Sequence, residues 1–573
     1  MITPMNRVFI AARDTERQQL LERVASAGVL EVEPLDPTTA VADSRALQQL
    51  EILRRNAIHD FSPVTDSAAL AETIAGLETA LAAAREELDR LQRQIDHLGP
   101  WGKTPRATLD ALETAGVSLR LVHSPGKNLP AELVIPLEDS FYLLLDRAPQ
   151  DLSADVRVLP RPARDYSELH HSIATLQEKI TQDQARLTEL RPQAAAAAQN
   201  IENACALQIA ERSAMRQDGL FVVTGWIPAA DLSHLETALA PLAVGIVARA
   251  PDDDEEPPTL ISYSNWVKPI AGLFKILNAA AGYREFDPAA VFMITVPLFA
   301  AMLISDWGYS ALILGASLWQ GEKIRDAMGT PFLHLLRIIA GVGILWGLLA
   351  NSFFGYGLLP VALIPIDERK SSTDLLMFIA FTLGAIHLVI AWLWQVIRLF
   401  PALDMLVPFG WALIVLGMYG LIQRLLLADA QIRMEFFSVW FPYFLGIGMT
   451  LAVIFRDLKN PLRGILIGLI DLPLSAIGKF GDVMSYVRLM AVGLAGSLLA
   501  ARFNEMAALA GAAFGIIPQI FIAILGHSLN LALCCIAIFA HGVRLNMLEF
   551  STNLGLTWSG RPFRPLTGRL ENN

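Results

Sequence analysis

Two arginines lie inside apolar stretches near the end of the chain. Arg488 falls within residues 480–503, FGDVMSYVRLMAVGLAGSLLAARF, and Arg544 is the cation of the apolar stretch 515–550. A guanidinium stays charged at any accessible pH, and placing one at bilayer depth costs at least roughly 2.5–3.5 kcal/mol. Such a residue usually faces a polar cavity or a carboxylate and often marks an ion path. The alternative is an arginine near a helix end whose side chain reaches the lipid headgroups.

Polar side chains recur around both arginines at helical spacing. In the last apolar stretch they fall, at about 100° per residue, within one stripe roughly 100° wide, and Glu549 lies just beyond it. The stripe consists of His527, Asn530, Cys534, His541 and Arg544. In the preceding stretch Asp482, Ser485 and Arg488 occupy related faces, followed by small residues that allow close helix approach. A lone histidine is more often a packing residue, but this combination predicts a hydrated path beside a fixed positive charge.

The composition divides the chain into a polar half and an apolar half. Of its 573 residues 53% are hydrophobic, the mean hydropathy is +0.43, and 45 basic against 56 acidic residues give a net charge of −11. This balance argues against a nucleic-acid-binding protein, which would normally be basic. The three cysteines form no CxxC pair, and we find no GxxxxGK[ST] loop for a nucleotide, so we predict no metal site and no cofactor.

The polar half begins and ends with strand patterns. Residues 7–12 predict a strand, Asp14 the cap of a helix that continues to residue 27, and residues 30–35 a second strand. This order predicts a βαβ-like start. Residues 219–228 and 243–249 also have strand composition, and we expect them to return to the same lobe.

Two heptad repeats lie between these strands. Apolar residues alternate in steps of four and three over residues 67–98, and a second apolar seam runs through residues 167–215. Strand-like runs fill residues 101–160 between them. We therefore predict an antiparallel coiled coil, about 45 Å long at ~1.5 Å per residue, with a distal α/β lobe at 101–160. The proximal lobe would comprise residues 1–66 and 217–262. The alternative is a coiled coil that only dimerises the protein.

Loop charges decide between two arrangements of the apolar half. Residues 291–319 form either one long tilted span or two short helices that meet at Asp306 and Gly308. With two helices, the loops on the side of the N-terminal half hold ten lysines and arginines and the opposite loops hold three, which satisfies the positive-inside rule. We therefore predict an α-helical membrane domain of about eight transmembrane helices, the last two long and tilted. Both termini would be cytoplasmic, and residues 462–478 would lie at the cytoplasmic face. The predicted passes are 291–304, 311–319, 332–351, 375–397, 404–427, 439–455, 481–503 and 515–544.

Several ordered motifs resemble the membrane stator subunit of V-type and A-type rotary ATPases, called subunit a or subunit I. The motifs are SYVRLMAVGLAG at 485–496, GHSLNLAL at 526–533, AHGVRLNMLEF at 540–550, FDPAAVFMITVPLFAAMLISDWGYS at 286–310 and FVVTGWIP at 221–228. Together they span nearly the whole chain. The sequence departs from vacuolar members of the family at two positions, since Cys534 stands where they carry glutamate and Gly496 where they carry histidine.

The resemblance implies a non-catalytic subunit of an ion-translocating ATPase or ATP synthase. Residues 1–288 would form a cytoplasmic N-terminal domain, and residues 289–573 a transmembrane ion-translocation domain with a cytoplasmic tail. Arg488 and Arg544 would meet the carboxylates of a rotating proteolipid ring. The half-channels would be lined by Asp482, Ser485, His527, Asn530, Cys534, His541 and Glu549.

The partners that the resemblance implies are a proteolipid c-ring, peripheral-stalk E and G subunits at the N-terminal lobes, a d- or C-type central-stalk subunit and membrane lipids. The transported ion would be H⁺ or Na⁺, and the location a prokaryotic plasma membrane. The choice of ion and the direction of ATP chemistry stay open, because the ion-selecting carboxylate belongs mainly to the ring subunit. No nucleic acid is expected.

Two other functions fit parts of the pattern. A secondary transporter of an anionic substrate, with a cytoplasmic regulatory arm, would use the arginines to bind its anion. Inverted repeats would favour this function, and none is evident in the sequence. A membrane-anchored coiled-coil scaffold would leave the placement of Arg488 and Arg544 unexplained.

Overall fold

The chain divides into two compact units. One comprises Met1–Ala40 and Ala210–Arg569, the other Val41–Ile209 and Leu570–Asn573. The structure, a computed structural model, describes residues 2–33, 43–57, 64, 66–98, 106–124, 133–136, 141–146, 156–159, 164–358, 360, 362–366, 369–428, 432 and 434–566.

Strands occur in the first half of the chain, and long helices dominate the second half. The strands are β1 (Met5–Arg13), β2 (Glu31–Glu33), β3 (Ser118–His123), β4 (Leu133–Pro136), β5 (Phe141–Asp146), β6 (Arg157–Leu159), β7 (Met215–Gln217), β8 (Leu220–Pro228) and β9 (Gly245–Arg249). The helices up to residue 277 are α1 (Arg17–Ala27), α2 (Ser44–Asn56), α3 (Ser67–Leu98), α4 (Arg106–Thr114), α5 (Tyr166–Ser213), α6 (Leu232–Leu239) and α7 (Ile270–Leu277). The later helices are α8 (Ala289–Ile304), α9 (Trp307–Trp319), α10 (Gly321–Met328), α11 (Thr330–Ala350), α12 (Lys370–Leu399), α13 (Leu406–Leu426), α14 (Glu435–Ile454), α15 (Pro461–Met484), α16 (Val487–Phe514), α17 (Ile516–Ala537) and α18 (Ser551–Leu554).

The lobe of the first unit is an antiparallel sheet with strand order β2-β8-β1-β9, and β7 also pairs with β8. Because β8 lies between β1 and β2, those two strands run parallel without touching, so the predicted βαβ-like start is a split unit. The predicted cap at Asp14 is wrong. Asp14 begins a short 3₁₀ turn, α1 starts at Arg17, and the Asp14 carboxylate instead lies 3.5 Å from the Arg17 guanidinium.

The second unit pairs the two heptad seams. Leu91 of α3 shares a buried cluster with Leu169 and Ile173 near the start of α5, while Ile74 and Ile201 share another cluster. The start of one helix thus meets the end of the other, which is the direction that the antiparallel prediction requires; the coiled-coil geometry itself stays a prediction. A second antiparallel sheet has strand order β4-β5-β3-β6, and Leu109 of α4 packs against Leu119 and Leu121 of β3. Residues 101–105, 125–132, 137–140, 147–155 and 160 of the predicted distal lobe lie outside the described residues.

Membrane-length helices follow the sheets. Six helical segments in the described part of the chain are long and apolar enough to cross a bilayer, and α8 is a shorter apolar helix. Residues 291–319 form two helices, α8 and α9, which meet at Asp306. The Asp306 carboxylate caps α9 by accepting from the N–H groups of Gly308 and Tyr309, and its second oxygen accepts from Ser352 and Gly355. The total of eight passes stays a prediction.

The boundaries predicted for the seventh pass stay a prediction, although the helical segment there begins well before residue 481. Residues 462–478, which we expected at the cytoplasmic face outside the passes, belong to α15, and α15 and α16 form one helical segment of 54 residues broken only by a turn at Ser485 and Tyr486. Asp471 suggested an interruption, but its carboxylate lies 2.5 Å from the Arg456 guanidinium, so its charge is paired. Pro461 stands at the helix start, where its missing N–H costs nothing. The last two helical segments are long, as predicted, the final one spanning Ile516–Leu554.

The chain after the last helix returns to the lobe. The Leu566 N–H donates to the Leu30 carbonyl at 2.8 Å, and the Thr259 N–H donates to the Arg561 carbonyl at 2.7 Å. The buried Glu31 carboxylate accepts from the Arg561 guanidinium and from the Arg564 N–H. Burial nevertheless raises the pKa of Glu31 above its ordinary value, against the lowering effect of these donors. This tail therefore ties the end of the membrane helices to the sheet.

Candidate functional site

Arg488 and Glu549 form an ion pair between the last two long helical segments. The Arg488 Nη2 lies 2.5 Å from Glu549 Oε1, and the Arg488 Nε donates to the Ser485 carbonyl at 2.9 Å. The Arg544 Nε lies 3.8 Å from the same Glu549 oxygen. Glu549 is 7% exposed, Arg488 21% and Arg544 53%. The two predicted arginines therefore share one buried carboxylate.

The turn before α16 fixes the position of Arg488 at the start of that helix. Tyr486 is fully buried in this turn, and its hydroxyl lies 2.8 Å from the His387 Nδ1 of α12. The Tyr486 ring packs against Gly384, where any side chain would overlap it. His387 in turn stacks on Phe550, the residue after Glu549. Packing of α12 therefore holds both partners of the ion pair, and Arg488 is the second residue of its helix rather than a mid-helix residue.

Asp482 belongs to a neighbouring polar network. Its carboxylate lies 3.3 Å from the Lys479 ammonium and accepts from Asn553 Nδ2 at 2.8 Å. The same Asn553 nitrogen donates to the Glu549 carbonyl, and Asn553 Oδ1 accepts from the Trp392 indole N–H at 2.9 Å. Asn553 thus joins α12, α15 and the last helix. Sequence reasoning missed it, although its position four residues after Glu549 was a usable signal.

A second polar group lies further along α16 and α17. The Asn504 Nδ2 donates to the Phe354 carbonyl, so its Oδ1 faces His527 and accepts from His527 Nε2 at 2.9 Å. The other ring nitrogen, Nδ1, then accepts from the Tyr309 hydroxyl at 2.7 Å, and that hydroxyl accepts from Asn530 Nδ2 at 3.1 Å. A directed chain of hydrogen bonds therefore fixes one tautomer of His527. Tyr309 and Asn504 were not predicted.

The predicted single stripe is divided between these two groups. His527 and Asn530 join Tyr309, whereas Arg544 and Glu549 join Arg488. The two groups lie far apart along the helix, because 17 residues at ~1.5 Å per residue separate His527 from Arg544 by about 25 Å. Two π-helical segments, Ile538–Val543 and Leu545–Phe550, also follow α17 and turn the chain by less than 100° per residue. Along α16, Arg488 and Asn504 are separated by ~24 Å at ~1.5 Å per residue.

The remaining predicted residues lie close to these groups. Cys534 is buried and faces the backbone of Gly496. The Ser485 hydroxyl donates to the Gly481 carbonyl, while the Ser485 carbonyl holds Arg488. The His541 Nδ1 is buried without a hydrogen-bond partner among the described residues. These side chains border the site without joining its hydrogen-bond networks through their own polar atoms.

An open cleft of about 280 Å³ adjoins His527 between α9 and α17, and Ser528 and apolar side chains such as Leu312 and Ile524 form its other walls. Within the described ranges, no group of three or more His, Cys, Asp or Glu side chains is arranged to hold a metal ion. The arrangement can pair charges at Arg488 and Glu549 and relay hydrogen bonds through His527.

No family model matches the chain. It is 31% identical to "V-type ATP synthase subunit I" of Borreliella burgdorferi over 364 residues, which cover 60% of this chain and 59% of that protein. It is 27% identical to "V-type ATP synthase subunit I 1" of Treponema pallidum over 632 residues, covering 99% of this chain and 100% of that protein. "A-type ATP synthase subunit I" of Methanocaldococcus jannaschii is 26% identical over 403 residues, 62% of this chain and 56% of that protein.

A crystal structure of the cytoplasmic N-terminal domain of subunit I, a homolog of subunit a of V-ATPase, aligns with 43% of this chain and 100% of that chain, at 15% identity and a TM-score of 0.18. The sequence relatives extend over both halves of this chain, including the membrane-length helices. The chain is an integral membrane protein homologous to subunit I of the V-type and A-type ATP synthases, which confirms the family that its motifs resemble.

Proposed function

We propose that this chain is the membrane stator subunit of a V/A-type rotary ATPase and couples ATP hydrolysis or synthesis to the movement of H⁺ or Na⁺. In this proposal the ATP chemistry takes place on other subunits. The observation that carries it is the permanent cation Arg488, held between two membrane-length helical segments in contact with a carboxylate. Homology to subunit I proteins supports the same function.

Arg488 would act on the carboxylates of a proteolipid c-ring. A deprotonated ring carboxylate that enters the membrane interface needs a counter-charge, because desolvating an unpaired ion costs several kcal/mol. A guanidinium supplies that charge at every pH and favours ion release from the ring site. It also repels cations, which prevents direct leakage past the ring. Arg544, half exposed beside the same site, would help to hold the ring carboxylate.

The two polar groups fit two offset half-channels. Asp482, Ser485, His541 and Glu549 would line the cytoplasmic one, near Arg488. The outer half-channel would be lined by His527, Asn530 and Cys534. The ~24 Å along α16 between Arg488 and Asn504 would keep the two paths apart. An ion would then cross only by travelling on the ring.

Exposed apolar faces support a ring and lipid environment. Leu474 and Ile477 on α15, and Ile524 and Ile536 on α17, are each more than 60% exposed. Apolar surface of this extent marks contact with a membrane or an apolar partner. We assign these faces to the proteolipid c-ring and to membrane lipids.

The soluble half would anchor the stator. We propose a cytoplasmic N-terminal domain at residues 1–288 whose lobes bind peripheral-stalk E and G subunits, and an ion-translocation domain at residues 289–573 that also meets a central-stalk d- or C-type subunit. The arms 67–98 and 167–215 would separate a distal lobe at 101–160 from the proximal lobe. The proposed location is a prokaryotic plasma membrane with both termini in the cytoplasm.

Replacing Arg488 tests this function. We expect Arg488→Ala to lower ATP-driven ion pumping by the reconstituted complex about a hundredfold or more, since a barrier higher by ~3 kcal/mol slows a step by about two decades. Arg488→Lys should rescue poorly, because lysine lacks the planar fork and neutralises when desolvated. Arg544→Ala should impair pumping less, because Arg488 still supplies a charge.

The matched control is Arg502→Ala on the same helix, where the arginine is exposed and pairs at the surface with Glu505. It should pump normally, and a native gel should show that every variant assembles. Near-normal pumping by an assembled Arg488→Ala complex would rule out the proposed mechanism and favour an anion transporter instead.

A further inference from the structure

Glu549 contacts both arginines of the site through a single oxygen. Its Oε1 lies 2.5 Å from Arg488 Nη2 and 3.8 Å from Arg544 Nε. The second oxygen, Oε2, is buried and has no hydrogen-bond partner among the described residues. An arginine–carboxylate pair built only for stability would normally use both oxygens in two parallel hydrogen bonds. The contact is therefore one-sided, and the carboxylate keeps unused acceptor capacity in a buried position.

The Arg488 side chain is also held independently of Glu549. Its Nε–H donates to the Ser485 carbonyl in the turn between α15 and α16, and Tyr486 in that turn is fixed by His387. If the Glu549 contact opens, the guanidinium therefore keeps its position. Arg544 meanwhile remains close enough to hold the released carboxylate.

We propose that Glu549 is a resident counter-ion that occupies Arg488 whenever no ring carboxylate faces it, and that yields Arg488 to each arriving ring carboxylate. This inference rests on the proposed function. Glu549 moves its pairing toward Arg544 while the ring carboxylate takes its place. No step of ring rotation then leaves the Arg488 guanidinium unpaired in a low-dielectric interface, where an unpaired charge costs much free energy.

Competition between two carboxylates also sets how firmly Arg488 holds the ring. Without the negative charge of Glu549, Arg488 would attract the ring carboxylate more strongly and favour its ionised form. The ring site would then need a higher proton concentration to be reloaded. The other charged and titratable groups around the pair are Asp482 and Lys479 on α15, Tyr486 in the turn, His387 on α12 and His541 on the same helix.

The test compares Glu549→Gln with Glu505→Gln in the reconstituted complex, with ATP-driven pumping measured across pH in sodium-free buffer. Glu505 is an exposed glutamate of α16. We expect Glu549→Gln to slow pumping severalfold and to move the pH profile to lower pH by at least half a unit. Glu549→Asp, which keeps the charge, should restore the profile, and Glu505→Gln should match the wild type. For a sodium-dependent complex the expected change is a higher half-saturating sodium concentration.

Arg544→Gln provides a second test in the opposite direction. It removes the other partner of Glu549, so Glu549 should hold Arg488 more firmly and the profile should move to higher pH. If a native gel shows that the Glu549→Gln complex does not assemble, the pH profile of Arg544→Gln tests the proposal instead. A uniform loss of pumping without a shift, or no change, in the assembled Glu549→Gln complex would show that Glu549 only supports the structure. Arg488→Ala in the same preparation separates this failure from a failure of the proposed function, which requires that variant to be inactive.

Discussion

Glu255 belongs to a charged network outside the membrane that makes the stability of the lobe depend on pH. Its carboxylate accepts from Arg249 at 2.5 and 3.0 Å, from the Asp252 N–H at 3.0 Å and from Arg7. Burial alone would raise the pKa of Glu255, but the hydrogen bonds from Arg249, Asp252 and Arg7 lower it to about 2. Because the folded-state pKa is depressed, this stabilisation is present above the unfolded pKa near 4.3 and is lost as pH falls toward 2.

We therefore expect Glu255→Gln to loosen β1 and β9 at neutral pH. Hydrogen exchange in these strands should be about fivefold faster than in the wild type, equivalent to ~1 kcal/mol after allowance for solvent screening. The difference should be greatest above pH 5 and smaller at pH 3, after correction for intrinsic exchange. Glu256→Gln, at the neighbouring exposed glutamate, is the control. A difference that grows as the pH falls would contradict this account.

Residue types predicted the charges of the site better than its hydrogen bonds. Arg488, Arg544 and Glu549 were recognisable because ionisable groups inside apolar stretches are costly. Tyr309 and Asn504 were not, because a tyrosine and an asparagine are unremarkable on a helix until a histidine from another helix meets them. Contacts between different helices leave no local pattern in a single sequence.

Helical periodicity was reliable where the helices are regular. The heptad steps of α3 and α5 place the same apolar residues in shared clusters that the structure contains. The last helix is different, because its final part is wound as two π-helical segments. Asn546, in the second π-helical segment, bonds Thr295 of α8, and Gly542 lies against Leu303 of the same helix. A pattern read at 100° per residue could not anticipate this change of phase.

The two heptad seams predict an intramolecular contact that can be trapped. In a background without Cys205, Cys534 and Cys535, Leu81→Cys combined with Leu187→Cys should crosslink within one chain, because both residues belong to one buried cluster. Non-reducing gels and peptide mass spectrometry would identify the product.

The control pair for this experiment is Leu81→Cys with Leu176→Cys. Leu176 packs in the other cluster, beside Leu91, so this pair should crosslink much less. Products that join two chains, in place of the intramolecular one, would support the dimerising alternative.

Across the whole molecule, the uneven distribution of loop charges predicts the orientation in the membrane. In the same cysteine-free background, Leu363→Cys should react with an impermeant maleimide only from outside, since its loop is on the side with few lysines and arginines. Ser559→Cys in the tail should react only from the cytoplasmic side, in inverted vesicles.

Leu458→Cys, in a loop rich in basic residues, is the internal standard for cytoplasmic labelling. All three positions are exposed in the structure, so a failure to react from one side reports the membrane rather than burial. Labelling of Leu363→Cys only in inverted vesicles would reverse the proposed topology.

The tail that binds the lobe makes the last helical segment a beam supported at both ends. Near one end, His527 is bonded to Tyr309 and Asn504; beyond the other, Leu566 and Arg561 are bonded to the sheet. Without the tail contacts, the end of the segment that carries Arg544 and Glu549 would be free, and it would move most under a sideways load. Because the tail is attached, a sideways load on the lobe and a displacement of these side chains are mechanically linked. The position of the Arg488–Glu549 pair therefore depends on the attachment of the tail to the soluble lobe as well as on the bilayer.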